Sequence, residues 1–404
     1  MAVFLSSPQS LLPVAGLRLS AVAANIRYQN RNDVVLMEMA ESSRVALVLT
    51  QNAFCAAPVV VAREHHAKAA PRYLLINSGN ANAGLGDLGL DCAYACCQAL
   101  AEDAQCLPEQ VLPFSTGVIG EPLPVQRIED ALPKALADLQ EDSWMAAMQA
   151  IMTTDTVPKG ISRTLHLHGQ DITITGIAKG SGMIAPNMAT MLAFIATDAR
   201  IEQALLQPLL AECTQRSFNC ITVDGDTSTN DACVLMATGA SGVDIREGSA
   251  EAAAFGDALL EICQFLAQAI VRDGEGATKF ITVAVKGARD VAEARQVGLT
   301  VANSPLVKTA LFASDPNWGR ILAAVGRAGV ADLEVNQVTL DVGDVRVVTH
   351  GGRDPRYTEA DGQRVMREAE ITLQIDLGRG TAQAEVYTCD FSHEYVRINA
   401  EYRS

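Results

Sequence analysis

Eighteen consecutive residues, Gly180 to Thr197, carry no charge: GSGMIAPNMATMLAFIAT. A run of this length belongs out of water, in a protein core or in a bilayer. Gly180, Ser181, Gly182, Pro186, Asn187 and Thr190 interrupt it, which makes it a poor membrane span. The pattern predicts a turn-rich loop, KGSGMIAPN, that enters a buried central strand within ATMLAFIAT. Threonine is an ordinary strand former, so nothing in the periodicity singles out Thr190.

The flanking sequence alternates between two hydrophobic periods. RVALVLT and RYLLIN read as strands, and GLDCAYACCQALAEDA and PVQRIEDALPKALADLQ have helical spacing. RTLHLHGQDITITGIA reads as a β-hairpin with Gly169 near its turn. Beyond the uncharged run, IEQALLQPLLAECTQ reads as a helix and NCITV as a strand. SAEAAAFGDALLEICQFLAQAIV reads as a long helix and TKFITVAVKG as a strand, while EITLQIDLG and TAQAEVYTC look antiparallel. Mixed patterns of this kind predict an α+β fold in layers and not a simple doubly wound sheet. No long linker or short-period repeat divides the chain.

With 49% hydrophobic residues, 404 residues can bury a large core. The net charge of −16 argues against nucleic acid as a partner and against docking on an anionic membrane, since both need a basic surface. Met1–Ala24 has no positive leader and holds Pro8 and Pro13, so it is not read as a signal peptide. The expected setting is the cytoplasm. The ten cysteines include no CxxC pair and read as small buried hydrophobes in a reducing compartment.

Familiar motifs mostly fail. GLGDLG at 84–89 matches a dinucleotide pattern, but residues 78–83 separate it from its strand and Asp87 would face a pyrophosphate. ITVDGDTSTND suggests a cation loop, yet Thr229 stands where an EF-hand needs glycine and Leu235 where it needs glutamate. The better reading is a polar loop that hydrogen-bonds itself at a strand end. His166 and His168 share a strand face, with no further ligand pattern to complete a site. There is neither a nucleophile elbow nor a P-loop. No metal and no other cofactor is expected.

Thr190 has a chemical reading as well. A threonine hydroxyl needs a base, and cutting the chain before it turns its own α-amine into that base. Such an amine has a reference pKa of roughly 7.7–8.0. The loop formers KGSG and APN and the small Ala189 suit a scissile bond.

At this point the residues resemble a known family. KGSGMIAPNMATMLAFIATDA is similar to the self-processing segment of the ornithine acetyltransferases. SGNANAG (78–84), STGVIG (115–120), MTTDTVPK (152–159), VDGDTSTND (223–231), SPLVKTALFASDPNWGRI (304–321) and the tail YVRINAEYRS follow in the same order. The resemblance runs from about Ser20 to Ser404.

The resemblance implies an α/β/β/α layered sandwich of the ornithine acetyltransferase and β-aminopeptidase type. It implies self-cleavage between Ala189 and Thr190 into an α chain (1–189) and a β chain (190–404), which stay together as one intertwined catalytic unit, usually α2β2. It implies a glutamate N-acetyltransferase of arginine biosynthesis. N2-acetyl-L-ornithine acetylates Thr190, and L-glutamate takes the acetyl group. Some members also use acetyl-CoA, as amino-acid N-acetyltransferases, and the residues leave that open.

Residue by residue, the family's oxyanion pair falls on Thr116 and Gly117. Its substrate-binding positions fall on Thr153, Lys179, Thr190, Glu275, Asn399 and Ser404. Lys179 suits the α-carboxylate that both substrates carry, and Glu275 suits the side-chain ammonium of ornithine. Glutamate puts a carboxylate where that ammonium sits, so it needs a shifted pose or a bridging cation. The family often ends in threonine, where this chain has Ser404. The alternative readings are an aminopeptidase of the same fold and a non-catalytic amino-acid-binding protein.

Overall fold

The apolar end of the uncharged run is buried on both faces, as its composition demands. The computed structural model describes residues 2–167, 169–185 and 191–401. Within it, all six residues of the strand Leu192–Thr197 are buried. That burial follows from two sheets packed face to face.

The first sheet has the order β1-β2-β4-β5, from Leu17–Val22, Val34–Met39, Tyr73–Asn80 and Val111–Val118. The second has the order β3-β10-β8-β7-β6. Its strands are β3 (Arg44–Leu49), β6 (Lys159–Leu167), β7 (Gln170–Lys179), β8 (Leu192–Thr197) and β10 (Ala232–Ala237). Leu19, Met37, Ile76 and Phe114 from the first sheet meet Ile177, Phe194, Val234 and Met236 from the second in one apolar cluster. Phe114 and Phe194 make an edge-to-face pair across it, 5.4 Å between centroids. The short strands β9 (Arg200–Ile201) and β11 (Asp244–Ile245) pair with each other.

Helices close both outer faces. α1 (Ala57–Lys68), α2 (Asp87–Ala104) and α3 (Val125–Ala137) cover the first sheet. α4 (Trp144–Ala150) sends Trp144 into the core between the sheets. α5 (Gln203–Gln215) and α6 (Ala250–Arg272) cover the second sheet. The hydroxyl of Ser249 caps α6 by accepting the N–H of Ala252. This helix is long and apolar enough to cross a membrane. Its apolar face, with Phe255, Leu259, Ile262 and Leu266, instead lies in the core. The α/β/β/α layering expected from the resemblance is therefore present.

A third sheet follows, in the order β15-β14-β13-β16-β12-β17. Its strands are β12 (Phe280–Ala288), β13 (Thr339–Val342), β14 (Val345–Thr349), β15 (Gly352–Arg353), β16 (Glu370–Asp376) and β17 (Ala382–Cys389). Its core takes side chains from α7 (Val291–Ala302), α8 (Pro305–Phe312), α9 (Trp318–Gly326) and α10 (Glu359–Met366). α11 (His393–Ala400) ends the described chain and buries none of its residues.

Two expectations need correction. NCITV is not a strand: Phe218–Cys220 form a 3₁₀ turn and Ile221 makes one isolated bridge to Tyr387. Its apolar side chains pack into the core without a ladder. EITLQIDLG and TAQAEVYTC run in opposite directions but are not neighbours. β12 lies between them, parallel to β16 and antiparallel to β17. The hairpin at 159–179 is as expected, and Gly169 at its turn has φ +77°.

Candidate active site

The site forms where strand ends gather at one rim of the two central sheets. β4 and β5 are parallel and end together, and Lys179, the last residue of β7, pairs with Leu192 at the start of β8. Ala232, the first residue of β10, also pairs with Leu192. A cavity of about 260 Å³ opens there, lined among others by Thr116, Gly117, Thr153, Lys179, Glu275 and Asn399. All six come from separate stretches of the sequence apart from the Thr116–Gly117 pair. Ala189, Thr190 and Ser404 lie outside the described residues.

The Thr116–Gly117 pair sits on an irregularity. Asn80 pairs with both Thr116 and Val118, so β4 and β5 are out of simple register there. Gly117 has φ +134°, and a Cβ on it would stand 2.3 Å from the carbonyl carbon of Gly79. Only glycine fits. A net of asparagines holds this corner. Asn77 takes the hydroxyl of Ser115 at 2.6 Å and gives its amide to the carbonyl of Asn80 at 2.9 Å. Asn80 in turn donates to the carbonyl of Glu121 at 3.0 Å and accepts the N–H of Asn82 at 2.8 Å. SGNANAG is thus a brace for the neighbouring strand. The rejected GLGDLG lies beyond it, where α2 begins at Asp87.

Lys179 is buried and donates to Thr153 Oγ1 at 2.8 Å and Thr116 Oγ1 at 3.2 Å. Behind it lies a buried ion network. Lys159 Nζ bridges Asp155 at 2.6 Å and Asp273 at 2.7 Å, and all three side chains are sealed from solvent. Asp155 also accepts the N–H groups of Gly180 and Thr153, and Asp273 those of Thr156 and Val157. Burial opposes ionisation of Asp155, but Lys159, Lys179 and the Gly180 N–H outweigh it and hold the carboxyl well below its ordinary range. Burial also opposes the charge of Lys159, and its two aspartates raise it above its ordinary value. Lys179 goes the other way: burial, helped by Lys159, lowers it despite Asp155 at 4.0 Å.

Glu275 faces the cavity with its backbone N–H on the carbonyl of Ser181. Asn399 of α11 donates to its carboxylate at 2.8 Å. Gly182 makes room for that carboxylate, since a Cβ there would stand 2.4 Å from it. Lys179 and Glu275 would pass for solvated surface charges on composition alone, yet both are buried.

Two residues that the motif reading left unassigned also reach the site. Asn230 lines the cavity and donates to the carbonyls of Ala81 at 2.7 Å and Ser115 at 2.9 Å, tying the second sheet to the strand of Thr116. Asp231 accepts the N–H of Met191 at 3.0 Å. Asp224 fastens the loop that follows β7 by accepting the N–H groups of Met183 and Ile184, at 2.6 and 2.9 Å. VDGDTSTND is therefore a hydrogen-bonded loop at a strand end, as expected. Asp155 and Lys159 share MTTDTVPK, but nothing in that motif points to Asp273.

Fold and cavity together define a layered α/β/β/α protein whose small buried cavity offers both a cation and an anion, the furnishing an amino-acid ligand requires. A family model described as the ArgJ family matches residues 18–404. The chain belongs to the ArgJ family. It is 60% identical over 395 residues to the arginine biosynthesis bifunctional protein ArgJ of Methylococcus capsulatus, covering 98% of this chain and 97% of the relative. It is 55% identical over 406 residues to the protein of that name from Pseudomonas fluorescens, covering 100% of each. The crystal structure of arginine biosynthesis bifunctional protein ArgJ from Bacillus halodurans is similar at 38% identity and TM-score 0.50, covering 52% of this chain and 98% of the solved one.

Proposed function

We propose that this chain is a self-processing acetyltransferase that moves the acetyl group of N2-acetyl-L-ornithine to L-glutamate in arginine biosynthesis. The observation that carries the proposal is convergence. Thr116, Gly117, Thr153, Lys179, Glu275 and Asn399 line one cavity, at the rim where Met191, the neighbour of Thr190, enters the fold.

The reaction is a double displacement at Thr190. The chain cuts itself between Ala189 and Thr190, and the freed α-amine accepts the proton of the Thr190 hydroxyl as its oxygen attacks the acetyl carbonyl carbon. The oxyanion formed takes hydrogen bonds from the Thr116 hydroxyl and the Gly117 N–H. Collapse breaks the C–N bond, and the departing ornithine amine takes the proton back. Glutamate, through its neutral amine, then attacks the acetyl-Thr190 ester. Its surplus proton returns to the Thr190 oxygen as N-acetylglutamate leaves. Lys179 pairs with the substrate α-carboxylate. Glu275 and Asn399 take the far end of the side chain. The Asn399 amide oxygen accepts from the ornithine ammonium, while its two N–H groups are held by Glu275 and the Tyr395 carbonyl. Glutamate therefore binds there in a shifted pose or with a bridging cation.

The proposal includes two chains, 1–189 and 190–404, remaining as one catalytic unit in an α2β2 assembly in the cytoplasm. Because the curated relatives are named bifunctional, the proposal extends to acetyl-CoA as a second acetyl donor to the same hydroxyl.

Thr190→Ala tests the central claim. The purified variant is expected as one uncut chain with no acetyl transfer from either donor, while wild type gives two fragments, the second beginning at Thr190. An uncut wild-type chain with full activity would overturn the mechanism.

A further inference from the structure

Asp231 occupies an unusual position for a carboxyl group. It directly precedes Ala232 at the start of β10 and has no solvent-exposed surface. Its Oδ1 accepts the N–H of Met191 at 3.0 Å. Its Oδ2 is buried and has no hydrogen-bond partner among the described residues. Native proteins rarely leave such an atom idle. The nearby cation does not explain it, because Lys179 is turned to Thr116 and Thr153.

The chain on the other side of the Met191 nitrogen offers a candidate partner. Only one Cα and one carbonyl carbon separate that nitrogen from the nitrogen of residue 190. The carboxyl that holds the Met191 N–H is therefore close along the chain to the amine that cleavage would free. Before cleavage the second nitrogen is an amide with a single N–H. After cleavage it is an amine with up to three protons.

We propose that Asp231 is the positioning residue for this amine, with Oδ1 holding the start of β8 and Oδ2 accepting a hydrogen bond that aims the nitrogen at the Thr190 hydroxyl. The proposal rests on the self-processing reading given above. The electrostatics agree. Burial raises the Asp231 carboxyl well above its ordinary range, against the Met191 N–H and the charge of Lys179. An ammonium formed beside it reverses that balance. The other titratable group that senses Asp231 is Cys55, ahead of α1, with Arg63 beside it.

Asp231→Asn separates this role from a merely structural one. The amide keeps an oxygen for the Met191 N–H and replaces the accepting Oδ2 with a donor. The variant is expected to fold and to cut itself. Its kcat should fall by about tenfold to a hundredfold while KM for acetylornithine stays within about threefold. Loss of the neighbouring carboxylate also lowers the pKa of the amine, so the acid limb of kcat/KM should move down by about one pH unit. In Asp231→Ala, added formate should restore part of the lost kcat.

A cut variant with wild-type kcat and an unmoved acid limb overturns the proposal. So does a variant that stays uncut, since the amine exists only after the cut, or one in which KM alone changes. Failure of the underlying reading is distinguishable, because it would show in the wild type as an active chain with no new N-terminus.

Discussion

Two glycines in the site have opposite reasons for being glycine. Gly117 needs both its positive φ and the space, because the Gly79 backbone lies against it. Gly182 has an ordinary φ and needs only the space, because the Glu275 carboxylate fills the place of its side chain. Gly182→Ala therefore leaves the backbone unstrained and pushes the end of one side chain. KM for acetylornithine is expected to rise by about tenfold, close to 1.4 kcal/mol of binding, with kcat nearly unchanged and self-cleavage intact. Steady-state kinetics on the cut enzyme checks this, and an unchanged KM would show that Glu275 does not hold the substrate. At this scale the sequence was informative where a motif marked the residue. Thr116, Gly117, Thr153, Lys179 and Asn399 lie in the family motifs, Glu275 came with the resemblance alone, and all six face one cavity. Asp273 was not. Its role depends on Lys159 and on the 156–157 backbone, which come from a distant part of the chain.

The element that organises the site is β10, which pairs with β8 on one side and the edge strand β3 on the other. Its first residue follows the doublet Asn230–Asp231, and those two side chains reach opposite ways. Asp231 holds the start of β8, and Asn230 reaches across to the carbonyls beside Thr116. Asn230→Ala removes both amide donors and leaves two buried carbonyls short of a partner, at a cost of about 1–3 kcal/mol each. The expected result is a melting temperature several degrees lower and a kcat reduced by roughly tenfold to a hundredfold. That is less than the loss of an oxyanion donor itself, about 10²–10³, because the donors remain and only their placement loosens. A kcat equal to wild type in a folded, cut variant would show that the brace is dispensable. Element types were legible wherever a long period ran, as in α6 and the 159–179 hairpin. NCITV misled because a short apolar run has no period of its own, and the core absorbs its side chains whether or not its backbone joins a ladder.

Across the whole molecule, the bond proposed to break joins segments that the sheets hold together independently. β7 and β8 lie on either side of it and pair over six positions, and β3 and β10 pair over six more. The apolar core between the sheets also draws on both sides, with Leu74 and Phe114 against Phe194 and Val234. Cleavage therefore costs connectivity and little else. The two fragments are expected to elute together at 1 M salt, where surface ion pairs are screened, and to part only in denaturant. They should melt in one transition. Size-exclusion chromatography and calorimetry check this, and fragments that separate in salt alone would refute it.

The sequence by itself determined the local grammar of the protein. The apolar end of the uncharged run, Leu192–Thr197, had to be buried, the periods on either side required layers of sheet and helix, and the ordered motifs marked the family and most of the site. Tertiary structure alone decided which of these parts meet. The third sheet places β12 between two strands that look like neighbours in sequence, because strand pairing is settled by packing partners and not by order along the chain. Lys159 is a cation in a dry interior because two aspartates from separate segments converge on it. Asp231 looked like one polar residue in a loop of them. Only the fold puts one of its oxygens on the residue after Thr190 and leaves the other unpaired among the described residues.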